Sequence, residues 1–90
     1  THMMVISNNQ LFLIEWKKGI NANINLHLQR LDSLKNRLGG VSAHALLVTT
    51  EPIGDNLNKA NLLNVGVIDG NQLNDLKNQL RNWIYKEINF

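Results

Sequence analysis

The segment NNQLFLIEWKKG, residues 8–19, decides the fold because it joins a turn, a continuous apolar run and a charged end. The run LFLI indicates a strand covered on both faces, as in the centre of an α/β sheet. Side chains alternate along a strand, so Glu15 and Lys17 point to one face and Trp16 to the other. Burying ionised groups is costly unless they are paired or bind a metal. The pair is therefore either a functional site or a strand end that reaches water.

The segments around this strand alternate between extended and helical patterns. Asn8-Asn9 tolerates positive φ and predicts a tight hairpin into the central strand, and Gly39-Gly40 predicts the end of the helix that follows. The predicted elements are strands at 4–7, 10–16, 43–50 and 65–69 and helices at 21–38, 55–64 and 71–88. The order β-β-α-β-α-β-α predicts an α/β fold with a mixed four-stranded sheet in a three-layer-like arrangement.

Composition indicates one small globular domain. The chain has 90 residues, 43% hydrophobic and 18% charged, which is ordinary for a folded protein. It has no cysteine, which excludes disulfides and thiolate metal sites and favours a cytoplasmic location. No apolar run approaches the about 20 residues of a membrane helix, so no membrane partner is expected. Residues 1–3 have the pattern of a cloning scar, which leaves 4–90 as the predicted domain.

The Glu-x-Lys sequence at the end of a hairpin resembles the PD-(D/E)xK, restriction-endonuclease-like nucleases. The resemblance is closer to one branch, the C-terminal nuclease domain of CRISPR-associated CARF-domain endonucleases. It is carried by NNQLFLIEWKKG, by the leucine-rich helix ending in RLGG, and by the segments HALLVTT and VGVIDG. It extends over residues 5–83.

This resemblance implies a metal-dependent endonuclease that hydrolyses DNA or RNA phosphodiester bonds. A metal in such a site activates water and neutralises charge on the phosphate, and Mg²⁺ or Mn²⁺ prefers oxygen ligands. By resemblance, Glu15 is a catalytic metal ligand, Lys17 orients the attacking water or stabilises the phosphate, and the backbone carbonyl of Trp16 is a further ligand. The Trp16 ring is expected to pack in the core.

The chain departs from the family pattern in one important respect. The pattern requires an aspartate on the strand before the glutamate, but positions 1–4 read THMM and no acidic residue precedes Glu15. We therefore expect the C-terminal piece of a larger nuclease domain, a core lacking its N-terminal part, with weak metal binding and little or no cleavage by itself. Glu51 and Asp69, which follow the two later strands, are reserve carboxylates for this site.

The remaining polar residues have simpler explanations. His27 and His44 have no third ligand at metal spacing and are expected to be ordinary surface or core histidines. Lys18 and Arg30 are candidate nucleic-acid contacts, and the default is that they are solvated. The helix residues Lys35 and Arg37 share a basic face with Arg30, which is expected to face solvent.

A second reading is a non-catalytic α/β module that assembles with itself or with a partner. The first strand, residues 4–7, lies at a sheet edge in the predicted order, and exposed edges pair readily. Pairing with its own copy across a two-fold axis would give a homodimer. The net charge of +2 permits a nucleic-acid partner without requiring one.

Overall fold

A mixed four-stranded sheet with helices on both faces organises the chain. The computed structural model describes residues 2–7, 9–18, 23–38 and 42–88. The strands are β1 His2–Ser7, β2 Gln10–Lys17, β3 Ala43–Thr49 and β4 Val65–Ile68. The helices are α1 Ile24–Leu38, α2 Asn56–Leu63 and α3 Leu76–Ile88, with a 3₁₀ turn at Leu73–Asp75. The predicted fold class and element order are confirmed.

The strands stand in the order β1-β2-β3-β4, so β2 and β3 are central. β1 pairs antiparallel with β2, whereas β2 with β3 and β3 with β4 pair in parallel. Glu15 lies opposite Leu47 and Lys17 opposite Thr49 in the parallel register. The carboxyl ends of β2, β3 and β4 therefore meet at one edge of the sheet, where open α/β sheets place their ligands.

Two apolar cores cover the two faces of the sheet, which explains the continuous run LFLI in β2. Leu13 packs with Leu28 and Leu31 of α1 and with residues of α2. Phe12, its neighbour, packs on the other face with Leu46 and with Trp83 of α3. Burying each such side chain contributes about 1.5–3 kcal/mol, so both faces favour the same register.

Several predicted boundaries shift by a few residues. β1 begins at His2, and α3 begins at Leu76 after a 3₁₀ turn, later than the predicted start at 71. Asn9 has a φ of 62°, as the predicted hairpin turn requires. Asn8 and Gly39-Gly40 lie outside the described residues.

β1 is an edge strand whose apolar side chains are exposed on both of its faces. Met3, Met4, Val5 and Ile6 are all exposed, with Ile6 at 78%. Neither apolar core contains a β1 residue among its described members.

None of the described helices combines the length and apolar character needed to cross a membrane.

Lys35 corrects the prediction of a solvated basic face on α1. Its ammonium is buried and donates hydrogen bonds to the carbonyl oxygens of Leu63, at 2.9 Å, and Asn64, at 3.2 Å. Asp32 lies 3.4 Å from the same nitrogen. Carbonyls at the end of a helix lack intrahelical donors and carry partial negative charge, so Lys35 caps the C-terminus of α2. Arg30 and Arg37 remain exposed, as predicted.

Replacing Lys35 by methionine tests this capping role. Lys35→Met keeps an unbranched stem but leaves the α2 carbonyls without their charged donor. We expect the free energy of unfolding to fall by about 1.5–3 kcal/mol, measured by urea unfolding with circular dichroism. The control is Lys77→Met on the exposed face of α3, for which a change within about 0.5 kcal/mol is expected. Equal losses in the two variants would contradict the capping role.

Candidate functional site

Glu15 is the buried carboxylate at the carboxyl end of β2. Only 4% of the residue is exposed. It lies two residues beyond Leu13 and therefore points to the face of the sheet that α1 covers. The structure thus places Glu15 inside the domain, at the sheet edge where ligands bind, and excludes the reading of a solvated strand end.

His27 is the side chain that α1 brings to this carboxylate. Its Nδ1 lies 3.8 Å from Oε1 of Glu15, and its side chain is 14% exposed. The flanking α1 residues Ile24 and Leu28 are buried against the sheet, which holds the first turns of the helix over β2. The prediction of an ordinary histidine overlooked this contact. The available signal was the position of His27 between two inward-facing apolar residues.

Lys17 and Trp16 lie at the same strand end, on opposite faces. Lys17 is half-buried and shares the face of Glu15, as the alternation of a strand predicts. Trp16 is 42% exposed, so the expectation that its ring packs in the core is wrong. The core on that face extends along β2 only as far as Ile14. Lys18 is exposed beside them.

Asp69, one reserve carboxylate, holds a loop. It is buried, and its Oδ2 accepts a hydrogen bond from the Ile53 amide at 3.2 Å, while Oδ1 accepts one from the Asn71 amide at 3.0 Å. The next residue, Gly70, lies so close to the Thr50 carbonyl that a Cβ would stand 2.4 Å from that oxygen. The Asp-Gly pair therefore clamps the β3–α2 loop to the end of β4.

Glu51, the other reserve carboxylate, lies just beyond β3 and is half-buried. Its amide faces the Thr49 hydroxyl oxygen at 3.4 Å. Within the described ranges, no three His, Asp or Glu side chains are grouped so that they could hold a metal ion. The structure therefore brings Glu15 and His27 together, without adding Glu51 or Asp69 to form such a group.

His44 lies at the amino end of β3, away from Glu15, and joins three elements. Its Nε2 contacts Oε1 of Gln10, and its Nδ1 lies 3.2 Å from Oε2 of Glu87 on α3. Its ring stacks on Phe12 with centroids 5.1 Å apart. Of the two predicted places, surface or core, the structure puts His44 in the core.

The donor chemistry at Glu15 fits one divalent cation held loosely. A buried carboxylate oxygen and an imidazole nitrogen face each other, and an ammonium-bearing residue shares their side of the strand. Mg²⁺ and similar ions are often held by one or two protein ligands, with water and phosphate completing the coordination. Glu15 and His27 are the residues that would hold such an ion.

Asp69 offers a test that separates a loop clamp from a metal ligand. Asp69→Ala leaves the buried Ile53 amide and the partly buried Asn71 amide without this acceptor. The free energy of unfolding should fall by about 1–3 kcal/mol, mainly through the Ile53 amide. Asp69→Asn keeps one acceptor oxygen, so a smaller loss is expected in urea unfolding. In a Mn²⁺ titration, the asparagine variant should give the same result as the unmodified chain. Loss of Mn²⁺ binding in a folded Asp69→Asn protein would contradict the loop-clamp assignment.

Comparison with solved structures shows a close match of fold. The crystal structure of protein VC1899 from Vibrio cholerae superimposes with a TM-score of 0.84 at 34% sequence identity. The match covers 93% of this chain and 22% of VC1899, so the chain corresponds to a small part of that protein. No match was found among curated protein sequences.

A family model confirms the resemblance that the Glu-x-Lys hairpin suggested. The model described as the Card1-like endonuclease domain matches residues 2–87. That range includes all four strands of the sheet and the Glu15–His27 contact. The chain belongs to the Card1-like endonuclease domain family.

Proposed function

We propose that this chain carries the Glu-x-Lys part of a metal-dependent endonuclease site that hydrolyses DNA or RNA. The observation that carries the proposal is the buried carboxylate of Glu15 at the carboxyl end of β2, in a domain of an endonuclease family. This edge, at the carboxyl ends of the parallel strands, is where open α/β sheets bind their ligands. Ionisable side chains held away from water at such an edge are candidates for catalysis.

Each residue at the strand end has a defined task in this proposal. Glu15 binds a Mg²⁺ or Mn²⁺ ion, and the Trp16 carbonyl is a further oxygen ligand. When bound, the ion supplies Lewis-acid activation of water and of the scissile phosphate. Lys17, on the face of Glu15, orients the water or neutralises a phosphate oxygen. Lys18 and Arg30, both exposed, contact the nucleic-acid backbone.

The chain by itself is proposed to have little or no activity. No acidic residue precedes Glu15 in the sequence, and Asp69 is engaged by two backbone amides. One carboxylate gives weak attraction for a strongly hydrated ion such as Mg²⁺. The same proposal holds that a longer protein containing this domain hydrolyses DNA or RNA and is located in the cytoplasm.

Glu15→Gln tests the metal site directly. The substitution keeps the shape of the side chain and removes its charge, so Mn²⁺ binding should weaken by at least about tenfold, or about 1.4 kcal/mol. Binding is measured by electron paramagnetic resonance of free Mn²⁺. The control is Asp55→Asn, an exposed carboxylate that makes no capping hydrogen bond. Equal Mn²⁺ binding by Glu15→Gln and the unmodified chain would overturn the metal site.

A nicking assay completes this test. Supercoiled plasmid and single-stranded RNA are incubated with Mn²⁺ and the unmodified chain, Glu15→Gln or Lys17→Met. We expect no cleavage above that of the Glu15→Gln protein. Cleavage that requires both Glu15 and Lys17 would show that the site is complete in this chain or across two copies of it.

The exposed strand β1 favours a second function, assembly of two copies. Four consecutive apolar residues, Met3 to Ile6, are exposed on a sheet edge. Antiparallel pairing of β1 with its copy would satisfy its free backbone edge and cover these side chains. The occupant proposed for this edge is therefore a second copy of the chain, giving a homodimer.

Ile6→Lys tests the homodimer. A lysine at this edge position introduces like charges close together across the two-fold axis and should convert dimer to monomer in sedimentation velocity. Leu62→Lys is the control, because Leu62 is 87% exposed on α2, away from β1. A monomeric unmodified chain, or a dimer unaffected by Ile6→Lys, would exclude pairing through β1.

A further inference from the structure

We propose that His27 is a nitrogen ligand of the cation that Glu15 binds, and that it makes the site prefer first-row transition ions to Mg²⁺. The inference rests on the proposed function, because it requires that Glu15 holds a cation. It adds to that function a residue outside the Glu-x-Lys sequence and a choice of metal. The contact between Nδ1 of His27 and Oε1 of Glu15 carries the argument.

The separation of these two atoms allows a charge–charge contact and also leaves room for a shared ion. At 3.8 Å the pair is too far apart for a hydrogen bond, which spans about 2.7–3.2 Å between nitrogen and oxygen. With metal–ligand bonds of about 2.1 Å, two ligands of one ion stand about 3.0 Å apart at a right angle and about 4.2 Å apart when opposite. The observed distance lies between these limits, so an ion can bridge the two atoms with a small adjustment.

The fold holds both ligands in place. Glu15 lies on a central strand, paired on one side with β1 and on the other with β3. His27 is fixed by its helix neighbours, since Ile24 and Leu28 are 3% and 0% exposed. The imidazole is 14% exposed, which leaves it reachable from solvent. A ligand pair on two packed elements gives a preorganised site without folding on binding.

An imidazole ligand changes which metal the site prefers. Mg²⁺ prefers oxygen ligands and keeps much of its water, whereas imidazole suits the transition ions. Affinity for a nitrogen and oxygen site rises from Mn²⁺ through Co²⁺ to Ni²⁺. A site of one carboxylate and one imidazole should therefore bind these ions more tightly than Mg²⁺, and the difference should depend on His27.

Pulsed electron paramagnetic resonance of bound Mn²⁺ tests the ligand assignment without any activity measurement. The unmodified chain should show the ¹⁴N modulation of a coordinated imidazole nitrogen. The modulation should be lost in His27→Ala and in His27→Gln, two variants that guard against failure of one to fold. Thermal unfolding in the presence of a chelator checks that each variant is folded. His44→Gln, which alters the ring that contacts Gln10 and Glu87, should retain the modulation.

Competition between ions tests the preference. Mg²⁺ is titrated against bound Mn²⁺ or Co²⁺ in the unmodified chain and in His27→Gln. Removing a group that tunes a metal site typically costs 10–100-fold in affinity. We expect the ratio of Mg²⁺ to Mn²⁺ needed for half displacement to fall by about tenfold or more in His27→Gln.

The outcomes separate this inference from the proposed function. Mn²⁺ binding that depends on Glu15 but shows no ¹⁴N modulation would overturn the role of His27 and leave the proposed metal site standing. Modulation that persists in both His27 variants would also overturn it. If the unmodified chain binds no Mn²⁺, or if Glu15→Gln does not weaken that binding, the proposed function itself is overturned, and the inference with it.

Discussion

The parallel pairing of β2 with β3 is the constraint on which the rest of this structure depends. A parallel pair requires a crossover, and here that crossover contains α1, which returns over one face of the sheet. All seven residues of β3 are buried, so both faces must be covered. α3 covers the second face through Trp83 and its neighbours. The position of Glu15 at the end of β2 and of His27 near the start of α1 follows from this one connection.

Within the part of the chain that the structure describes, three charged side chains are buried at the edges of this arrangement, and each faces a different kind of group. Lys35 donates to carbonyls at the end of α2, and Asp69 accepts from amides of two loops. Both are explained by backbone groups that lack partners within their own element. Glu15 lies beside an imidazole on another element, at the sheet edge where open α/β sheets bind their ligands. Its place at the carboxyl end of a central strand makes it the candidate functional group.

The sequence predicted the elements well because their signals are local. The run LFLI, the helical spacing of leucines and the Asn-Asn turn each occupy a few adjacent residues. The faces of Glu15 and Lys17 also follow from simple alternation. The roles of Lys35 and Asp69 could not be predicted, because their partners lie 28 and 16 residues away and depend on how loops pack. Periodicity indicates which face a residue occupies, and the pairing across elements decides what it contacts. The exposure of Trp16 was missed for the same reason, since it depends on where α3 ceases to cover β2.

The charge of the candidate site sets what it can do with a phosphate. Two carboxylates around a divalent ion leave no net charge, whereas one carboxylate and a neutral imidazole leave a net charge of about +1. In the proposed site, that excess positive charge, with the Lys17 ammonium on the same face, would favour an anionic ligand at the strand end. Fewer carboxylates would also weaken the hold on the ion, because each carboxylate adds to the attraction. The proposed site would therefore gain most when a nucleic-acid phosphate binds together with the ion and supplies further negative oxygens.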